Sequence, residues 1–376
     1  MSAPRESRTY IALAAGGTGG HMFPAEALAR ALLTRGRRVA LMTDSRGEAF
    51  GERLPGVALH RIRAGRFSGN LLRKALGLVE LALGTLEAGR QLRALGPAAV
   101  VGFGGYPSVP TMLAAARQNR PTVIHEQNAI LGRANRLLAS RARRVATSFA
   151  EVVGLSAAER GRVTETGNPV RPAVTALRNT PYMESRGDAA FQLLVLGGSQ
   201  GARILSSVIP EALARLPAPL RLRLRLTQQA RPEDLESVRA TYALSGIEAE
   251  IRPFFDDVPA RLARAQLVIA RSGASTVAEL TVMGRPAILV PYRYAADDHQ
   301  TANARALEAA GAAWVMSEAA FTSEALSDRV AALIEAPETL AKAARAAHGL
   351  GRPDAAERLA DLVLATAGEP VGEAAA

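Results

Sequence analysis

Two glycine-rich turns are the stretches of this sequence whose residue types suggest chemistry most directly. LAAGGTGGHMF covers residues 13–23 and LLVLGGSQGARIL covers residues 193–205, and each runs from an apolar segment through glycines into an amphipathic segment. A turn that opens a helix presents backbone N–H groups and the positive end of the helix dipole. Because glycine has no Cβ, an anion can approach these N–H groups closely, and phosphate is the natural ligand. The alternative is a tight strand-to-helix turn, but two turns at matched places favour phosphate binding.

The surrounding residues narrow the kind of phosphate ligand. The dinucleotide pattern G-x-G-x-x-G is absent, since the position of its third glycine holds Met22. Asp44 stands where a ribose-binding acid would stand, so a dehydrogenase remains an alternative. The ATP-binding pattern with a lysine after the glycines is also absent. Asp256–Asp257 and Asp297–Asp298 are adjacent pairs rather than D-x-D, so the sequence predicts no metal site.

Other polar and glycine-containing stretches also follow predicted strands. They are VGFGGYPS around Tyr106, VIHEQNAILGRAN with His125, Glu126, Asn128 and Asn135, GNPVR with Arg171, ARSGASTVAEL with Ser275 and Glu279, and PYRYAADDHQTANA with Gln300. In open α/β sheets, ligands bind beyond the carboxyl ends of the strands. Helix capping would explain single residues such as Ser272 or Ser275, but it does not explain the whole set. These stretches therefore predict one ligand-filled cleft between two domains.

Short β-type segments alternate with longer segments of helical period along the chain, a pattern typical of βαβ units and parallel sheets. The predicted strands cover residues 10–15, 38–43, 57–62, 98–103, 122–125 and 144–148, and then 192–196, 221–227, 249–253, 267–270, 287–290 and 313–316. We expect an α/β protein with two doubly wound, Rossmann-like domains over residues 1–170 and 171–350. Residues 351–376 are expected to form a last helix that packs back toward the N-terminal domain, followed by a loose tail.

Composition excludes some classes of protein. The chain of 376 residues has no cysteine, which excludes disulfides, thiolate catalysis and Cys-based zinc sites. The net charge is +11, and Lys74 and Lys342 are the only lysines. Such a bias toward arginine is more typical of an Arg-rich genome than of selection for nucleic acid, although it favours anionic partners. Residues 94–116 are uncharged, but internal glycines and prolines predict a strand, a turn and a helix there. We expect neither a signal peptide nor a transmembrane helix.

The motifs resemble one family when they are taken as a set and in order. GGTGGHMFPA, GFGGYPS, HEQNAILGRAN, TGNPVR, LGGSQGARIL, ARSGASTVAEL, GRPAILVPY and DDHQTANA resemble glycosyltransferase family 28, over about residues 10–365. The resemblance is to the peripheral membrane members that act in peptidoglycan synthesis. It implies the metal-independent, inverting GT-B architecture, in which two domains face each other across a cleft. It also implies transfer of N-acetylglucosamine from UDP-N-acetylglucosamine to the C4 hydroxyl of undecaprenyl-pyrophosphoryl-N-acetylmuramyl-pentapeptide (lipid I), which gives lipid II.

The resemblance also implies a role for individual residues. It assigns acceptor and membrane binding to residues 1–170 and UDP-sugar binding to residues 171–350. The donor-side residues that it implies are Thr18, Gly19, Gly20, Asn128, Arg171, Ser199, Phe255, Ala274, Ser275, Thr276, Glu279 and Gln300, and the acceptor-side residues are Gly16, Gly17, Tyr106, His125, Glu126 and Asn135. Among these, Arg171 and Ser199 would contact the diphosphate, Glu279 the ribose and Gln300 the sugar hydroxyls. His299 replaces a glutamine found in some relatives, so its role stays open.

His21 is the candidate catalytic residue, and three roles are open to it. Its imidazole could take the proton of the acceptor hydroxyl, since the ordinary pKa of imidazole, about 6.5, lies near neutral pH. A charged His21 could instead hold the acceptor diphosphate. The third role is a purely structural hydrogen bond at the helix start.

A further segment suits an acceptor that lies in a membrane. Residues 67–95 contain leucines at helical spacing interleaved with Arg73 and Lys74, and an apolar ridge flanked by cations can lie in an anionic interface. The alternative is an ordinary amphipathic helix packed on the first sheet. We expect residues 71–79 to face the membrane, and a peripheral location on the cytoplasmic side of the cell membrane. The expected partners are the two substrates, an anionic membrane surface, and cell-wall synthesis or division proteins, with no nucleic acid and no cofactor.

Three other functions remain as alternatives. A different glycolipid synthase would share the donor half, and a UDP-sugar epimerase would share the architecture but need no membrane surface. A nucleotide-binding regulator or dehydrogenase would bind its nucleotide without releasing UDP.

Overall fold

The structure, a computed structural model, describes residues 9–16, 19–45, 47, 54–65, 71–198 and 201–369, with the backbone but not the side chains of residues 71–75. The chain divides into two compact units. The N-terminal unit consists of Met1–Arg171 and Asp354–Ala376, and the C-terminal unit consists of Pro172–Pro353.

The N-terminal unit is built on a parallel sheet of seven strands. Its strands are β1 (Tyr10–Ala14), β2 (Arg38–Thr43), β3 (Val57–Arg61), β4 (Ala99–Gly102), β5 (Thr122–Glu126), β6 (Arg144–Thr147) and β7 (Val163–Glu165). They lie in the order β3-β2-β1-β4-β5-β6-β7, and every pair is parallel. The central strands are short and buried along their length, as expected of a parallel sheet covered on both faces.

Helices cover both faces of this sheet. They are α1 (Gly19–Thr34), α2 (Leu71–Leu95), α3 (Ser108–Arg117), α4 (Arg133–Leu138), α5 (Ala157–Arg160) and α15 (Ala355–Ala367), with a 3₁₀ turn at Ala139–Arg141. One core forms where α1 and α15 pack against the sheet, and a second forms under α2 and α3 on the other face. Leu359, Val363 and Leu364 of α15 belong to the first of these cores. The last helix of the chain is therefore a structural part of the N-terminal unit.

The C-terminal unit repeats the same architecture with six strands. They are β8 (Phe191–Leu196), β9 (Leu224–Gln229), β10 (Glu248–Arg252), β11 (Leu267–Ala270), β12 (Ala287–Leu289) and β13 (Ala313–Val315). Their order is β10-β9-β8-β11-β12-β13, again parallel throughout. This is the doubly wound Rossmann order, and the predicted α/β fold class is confirmed.

The helices of the C-terminal unit follow the strands in alternation. They are α6 (Pro172–Ala176), α7 (Arg203–Ala214), α8 (Ala218–Arg223), α9 (Leu235–Leu244), α10 (Val258–Arg264), α11 (Ala274–Met283), α12 (His299–Ala309), α13 (Ser323–Glu335) and α14 (Pro337–Leu350), with 3₁₀ turns at Pro232–Asp234 and Ala296–Asp298. The strands, α7, α9, α13 and the start of α14 enclose a single apolar core.

Two elements differ from the sequence prediction. The strand predicted over residues 221–227 begins only at Leu224, because Ala218–Arg223 form α8 directly after Pro217. Strand β7 was not predicted, since it has only three residues and lies at the sheet edge, half exposed.

Candidate active site

The glycine turns of the N-terminal unit lie at the point where the strand order reverses. From the central pair β1 and β4, the sheet continues to β2 on one side and to β5 on the other. Gly16 follows β1, while Gly104 and Gly105 follow β4 with φ of 81° and 71°. The turns lie close together, since a Cβ on Gly16 would be 2.6 Å from Cβ of Pro107. Ligand sites of doubly wound sheets form at this reversal.

His21 packs directly against the second turn. It lies in the first turn of α1 and is partly buried. A Cβ on Gly105 would lie 3.2 Å from Cδ2 and 3.4 Å from Nε2 of His21, and one on Gly104 would lie 3.5 Å from Cε1. The positive φ angles favour glycine at both positions, and at Gly105 a Cβ would also press against the imidazole.

His125 is the buried imidazole of the site. Its side chain at the end of β5 is fully buried, with Nε2 3.0 Å from the carbonyl oxygen of Gly167 and Nδ1 3.0 Å from Nε2 of Gln127. Burial lowers the pKa of His125 to about 4, against the opposing hydrogen bond to Gly167 and with a smaller contribution from His21. His125 is thus a neutral hydrogen-bonding group at physiological pH.

Glu126 organises the loop that follows β5. Its Oε1 accepts from the backbone N–H and from Nδ2 of Asn128, at 3.0 and 3.2 Å. Its Oε2 accepts from the N–H of Gly132 and from Nδ2 of Asn135, both at 2.9 Å. A buried carboxylate that accepts four hydrogen bonds fixes the backbone around it, and Glu126 thereby holds Asn128 and Asn135 in place.

The remaining predicted residues of this unit lie around the same turns. Tyr106 follows Gly105 and is 40% exposed. The guanidinium carbon of Arg171 lies 5.4 Å from the centre of the Phe23 ring in α1, and Gly19 packs against the same ring. Arg171 is thus positioned beside the start of α1. Gly20 is the second residue of that helix, whereas Gly17 and Thr18 lie outside the described residues.

The C-terminal unit has a matching reversal point between β8 and β11. After β8, Gly198 and Gly201 have φ of 80° and 68°. Gln229 braces this turn, since its Oε1 accepts from the N–H of Gly197 at 3.1 Å and its Nε2 donates to the carbonyl of Gly198 at 3.1 Å. Ser199 lies outside the described residues.

Helix α11 begins on the neighbouring side of this reversal point. Gly273 is its N-cap, and Ala274, Ser275 and Thr276 form its first turn, so that their backbone N–H groups point out of the helix end. Glu279 lies on the same helix with 7% of its surface exposed. The helix start is anchored from α12, because the Ser272 hydroxyl donates to the carbonyl of Gln300 at 2.8 Å.

The loop before α12 has an unusual backbone. Asp297 and Asp298 adopt left-handed φ angles of 52° and 53°, which are uncommon for residues other than glycine. Beyond them, Oε1 of Gln300 accepts from the N–H of Tyr292 at 3.0 Å, an arrangement that orients its amide Nε2 as a donor group. Nδ1 of His299 donates to the carbonyl of Ala296 at 2.6 Å, so His299 braces the loop.

Two further findings concern the expected ligands and membrane. Phe255, one of the expected donor-side residues, has its side chain buried under the guanidinium of Arg261, whose carbon lies 4.2 Å from the ring centre. Among the described residues, no group of three or more histidines and carboxylates could hold a metal ion. Within the same part of the chain, no helix has the length and apolar character needed to cross a membrane.

Gln127, which the sequence placed in the polar stretch after β5 without a role of its own, and Gln229, which the sequence prediction missed, are further functional candidates. Gln127 follows β5 and Gln229 ends β9, each one strand away from a reversal point, and each uses both ends of its side-chain amide. In the fold, each glutamine lies beside a glycine turn. In the sequence, a single glutamine has no spacing to other residues that would distinguish it.

Comparison with known proteins gives the class that this fold and these turns define. The N-terminal domain of glycosyltransferase family 28 matches residues 11–147, and the C-terminal domain of the same family matches residues 192–359. The chain belongs to glycosyltransferase family 28.

Individual relatives are more specific. The chain is 59% identical to the UDP-N-acetylglucosamine–N-acetylmuramyl-(pentapeptide) pyrophosphoryl-undecaprenol N-acetylglucosamine transferase of Rhodospirillum centenum, over 96% of both chains. The crystal structure of MurG from Acinetobacter baumannii matches with a TM-score of 0.78 and 30% identity, over 95% of this chain and 99% of that one. A UDP-N-acetylglucosamine 2-epimerase from Listeria monocytogenes, 18% identical over 96% of both chains with a TM-score of 0.66, shares the fold.

Proposed function

We propose that this protein transfers N-acetylglucosamine from UDP-N-acetylglucosamine to the C4 hydroxyl of lipid I, with inversion at C1, and so makes lipid II. The observation that carries this proposal is the 59% identity over 96% of the chain to the transferase of Rhodospirillum centenum. Each unit has a glycine turn at the point where its strand order reverses. This supports the proposal, because the donor and the acceptor each contain a diphosphate.

The donor site is assigned to the C-terminal unit. The start of α11 supplies backbone N–H groups for the diphosphate, and Ser199 is a further expected contact. Glu279 is suited to the ribose, because a carboxylate can accept from two hydroxyl groups at once. The Nε2 group of Gln300 is suited to the sugar hydroxyls. Negative charge develops on the diphosphate as UDP leaves, and each preorganised donor of this kind is typically worth ~10²–10³ in rate.

The acceptor site is assigned to the turns around His21. The C4 oxygen of the acceptor forms the new bond to C1 while the bond from C1 to the phosphate oxygen breaks, and that electron pair leaves with UDP. The hydroxyl proton passes to the imidazole of His21, which thereby acts as general base. The position of His21 supports this role, since its ring lies beside the Gly104–Gly105 turn that follows β4.

A membrane surface is assigned to α2. Leu76, Leu78 and Val79 are 57%, 60% and 56% exposed, and Leu83 and Leu86 continue the apolar ridge. An exposed apolar ridge on one helix is suited to the interface of a membrane that carries lipid I. The protein is accordingly proposed to act at the cytoplasmic face of the cell membrane.

The decisive experiment measures UDP release from UDP-N-acetylglucosamine with and without a lipid I analogue. We expect UDP to appear only with the acceptor and in equal amount to a β-linked disaccharide product. Formation of a second UDP-sugar without acceptor would identify an epimerase. Transfer to unrelated glycolipids at the same rate would identify a different synthase, and either result overturns the proposal.

A further inference from the structure

A chain of hydrogen bonds connects the buried His125 to His21 through the side chain of Gln127. Oε1 of Gln127 lies 3.3 Å from Nδ1 of His21, and Nε2 of Gln127 lies 3.0 Å from Nδ1 of His125. The Nε2 group also lies 3.0 and 3.1 Å from the carbonyl oxygens of Phe103 and His125, so its two N–H hydrogens face three acceptors. Gln127 is 2% exposed, so its amide is largely shielded from solvent.

The carbonyl groups determine which way the amide of Gln127 points. Phe103 and His125 each present a backbone oxygen, and a carbonyl oxygen only accepts hydrogen bonds. If the amide were reversed, its own oxygen would face both of these oxygens in a buried site, which is unfavourable. The nitrogen therefore faces Phe103 and His125, and the oxygen faces His21.

The same reasoning determines the proton on each imidazole. Nε2 of His125 faces the carbonyl oxygen of Gly167 at 3.0 Å and must carry its proton, so Nδ1 accepts from Gln127. Nδ1 of His21 faces the amide oxygen of Gln127, an acceptor, so Nδ1 carries the proton. In neutral His21 the lone pair is then on Nε2, the nitrogen that faces Gly105.

We propose that Gln127 is a positioning residue that holds His21 in the Nδ1–H tautomer, with Nε2 as the nitrogen that receives the acceptor proton. This inference rests on the proposed function for the identity of the reaction, but the tautomer itself does not. After proton transfer, the Nδ1–H of the imidazolium still donates to Gln127. Because the partner is a neutral amide rather than a carboxylate, it orients the ring without an ion pair that would hold the ring charged.

The first test needs no activity and leaves Gln127 unchanged. Nitrogen-15 NMR of histidine-labelled full-length protein at pH 8 distinguishes Nδ1–H from Nε2–H imidazoles, and the His21→Ala spectrum assigns the His21 signals. We expect Nδ1–H for His21 and Nε2–H for His125. The Nε2–H tautomer for His21 would overturn the inference, whatever reaction the protein catalyses.

The second test follows the rate. Gln127→Met keeps the length of the side chain but removes both hydrogen-bonding groups, and we expect kcat to fall about ten-fold with the acceptor KM changed less than two-fold. His21→Ala should cost ~10²-fold or more in kcat. Because Gln127 acts through His21, adding Gln127→Met to His21→Ala should lower kcat no further. An additive loss in the double variant would show that Gln127 acts independently of His21.

Gln127→Glu provides a readout that a purely structural role would not change. Its carboxylate should stabilise the protonated imidazole of His21 and shift the acidic limb of the kcat–pH profile to higher pH. An unshifted limb in a folded variant contradicts the inference. If His21→Ala retains full kcat while the NMR result holds, the general-base assignment fails and the tautomer assignment survives.

Discussion

At the scale of single residues, the buried imidazole of His125 makes stability depend on pH. Burial holds its pKa at about 4 in the folded protein, whereas an unfolded histidine titrates near 6.5. Between these values the unfolded chain binds a proton that the folded chain does not bind. The free energy of unfolding should therefore be fully retained above pH ~6.5 and fall as the pH drops toward 4, by up to about 1.4 kcal/mol per pH unit.

Denaturant titrations at pH 8, 7, 6 and 5 of the wild type and of His125→Gln would measure this contribution. The slopes of the free energy of unfolding against pH should differ between the two proteins by the equivalent of about one bound proton. His60 and His348, whose pKa values are also lowered by burial, are present in both proteins and do not contribute to this difference. The interval from pH 8 to pH 7 serves as the control, and there the two proteins should show the same slope. Parallel curves for wild type and His125→Gln would contradict the buried, neutral state of His125.

Which of these residues can be found from sequence depends on whether the signal is local. The glycines that precede His21 are close together in the chain, and so are the residues of the cluster after β5, so the motifs could indicate them. Gln127 was visible in the same cluster, but its importance comes from two partners, Phe103 and His21, that are distant in sequence. A side chain that joins separate loops has no sequence spacing by which to predict it.

At the scale of elements, a glycine allows the backbone of helix α2 to come close to the chain segment that precedes it. A Cβ on Gly84 would lie 2.0 Å from the carbonyl oxygen of Arg63, whereas a Cβ on Gly89 would have its nearest neighbour, Nε2 of Gln118, at 3.5 Å. Alanine favours a helix over glycine by about 1 kcal/mol. Gly89→Ala should therefore raise the free energy of unfolding by about that amount, while Gly84→Ala should lower it by roughly 1–3 kcal/mol because the backbone must move. Thermal midpoints of the two variants measure the contrast, and equal shifts would show that α2 does not approach Arg63 so closely.

The outer side of α2 is predicted to bind the membrane. Replacing Leu76, Leu78 and Val79 together by serine should weaken binding to vesicles with anionic lipid about ten-fold or more, because burial of even one leucine is worth about 1.5 kcal/mol or more. Turnover of a short-chain, water-soluble acceptor should stay near wild type, since these side chains are more than half exposed.

The matched control is Leu222→Ser with Leu244→Ser, two leucines of the C-terminal unit that are 69% and 90% exposed. This control should retain vesicle binding. Loss of soluble turnover in the α2 variant would instead mean that its side chains stabilise the fold. The first turn of α2, which the sequence also indicated, has side chains outside the described residues.

Element type was predictable where one periodicity dominates. The buried strands β1, β2 and β11 are continuous apolar segments bounded by turns, and their predicted positions agree with the structure within one residue. The start of β9 was predicted wrongly, because Arg221 and Arg223 alternate with leucines in a strand-like way and yet the segment after Pro217 forms a helical turn. The local alternation of arginine and leucine cannot show where β9 begins, since the length of this strand depends on its pairing with neighbouring strands.

At the scale of the whole molecule, the chain forms two units with separate cores and crosses between them twice, after Arg171 and after Pro353. The single tryptophan, Trp314, packs against the core of the C-terminal unit. Its fluorescence therefore follows the unfolding of the C-terminal unit, whereas far-UV circular dichroism follows both units. This difference makes it possible to assign ligand binding to one unit by stability alone.

UDP should stabilise the unit that Trp314 reports. At a UDP concentration 100-fold above its dissociation constant, the gain in free energy of unfolding is about 2.7 kcal/mol, and we expect it in the Trp314 transition.

Glu279→Ala should lose roughly 1–3 kcal/mol of that gain at the same UDP concentration, because the ribose hydroxyls lose a charged acceptor. Each variant is compared with itself without UDP, so the intrinsic effect of the substitution on stability cancels. His21→Ala, a substitution in the N-terminal unit, is the control and should keep the full gain. An undiminished gain in Glu279→Ala would remove Glu279 from the donor site. A gain seen by circular dichroism but not by Trp314 fluorescence would place UDP on the N-terminal unit instead.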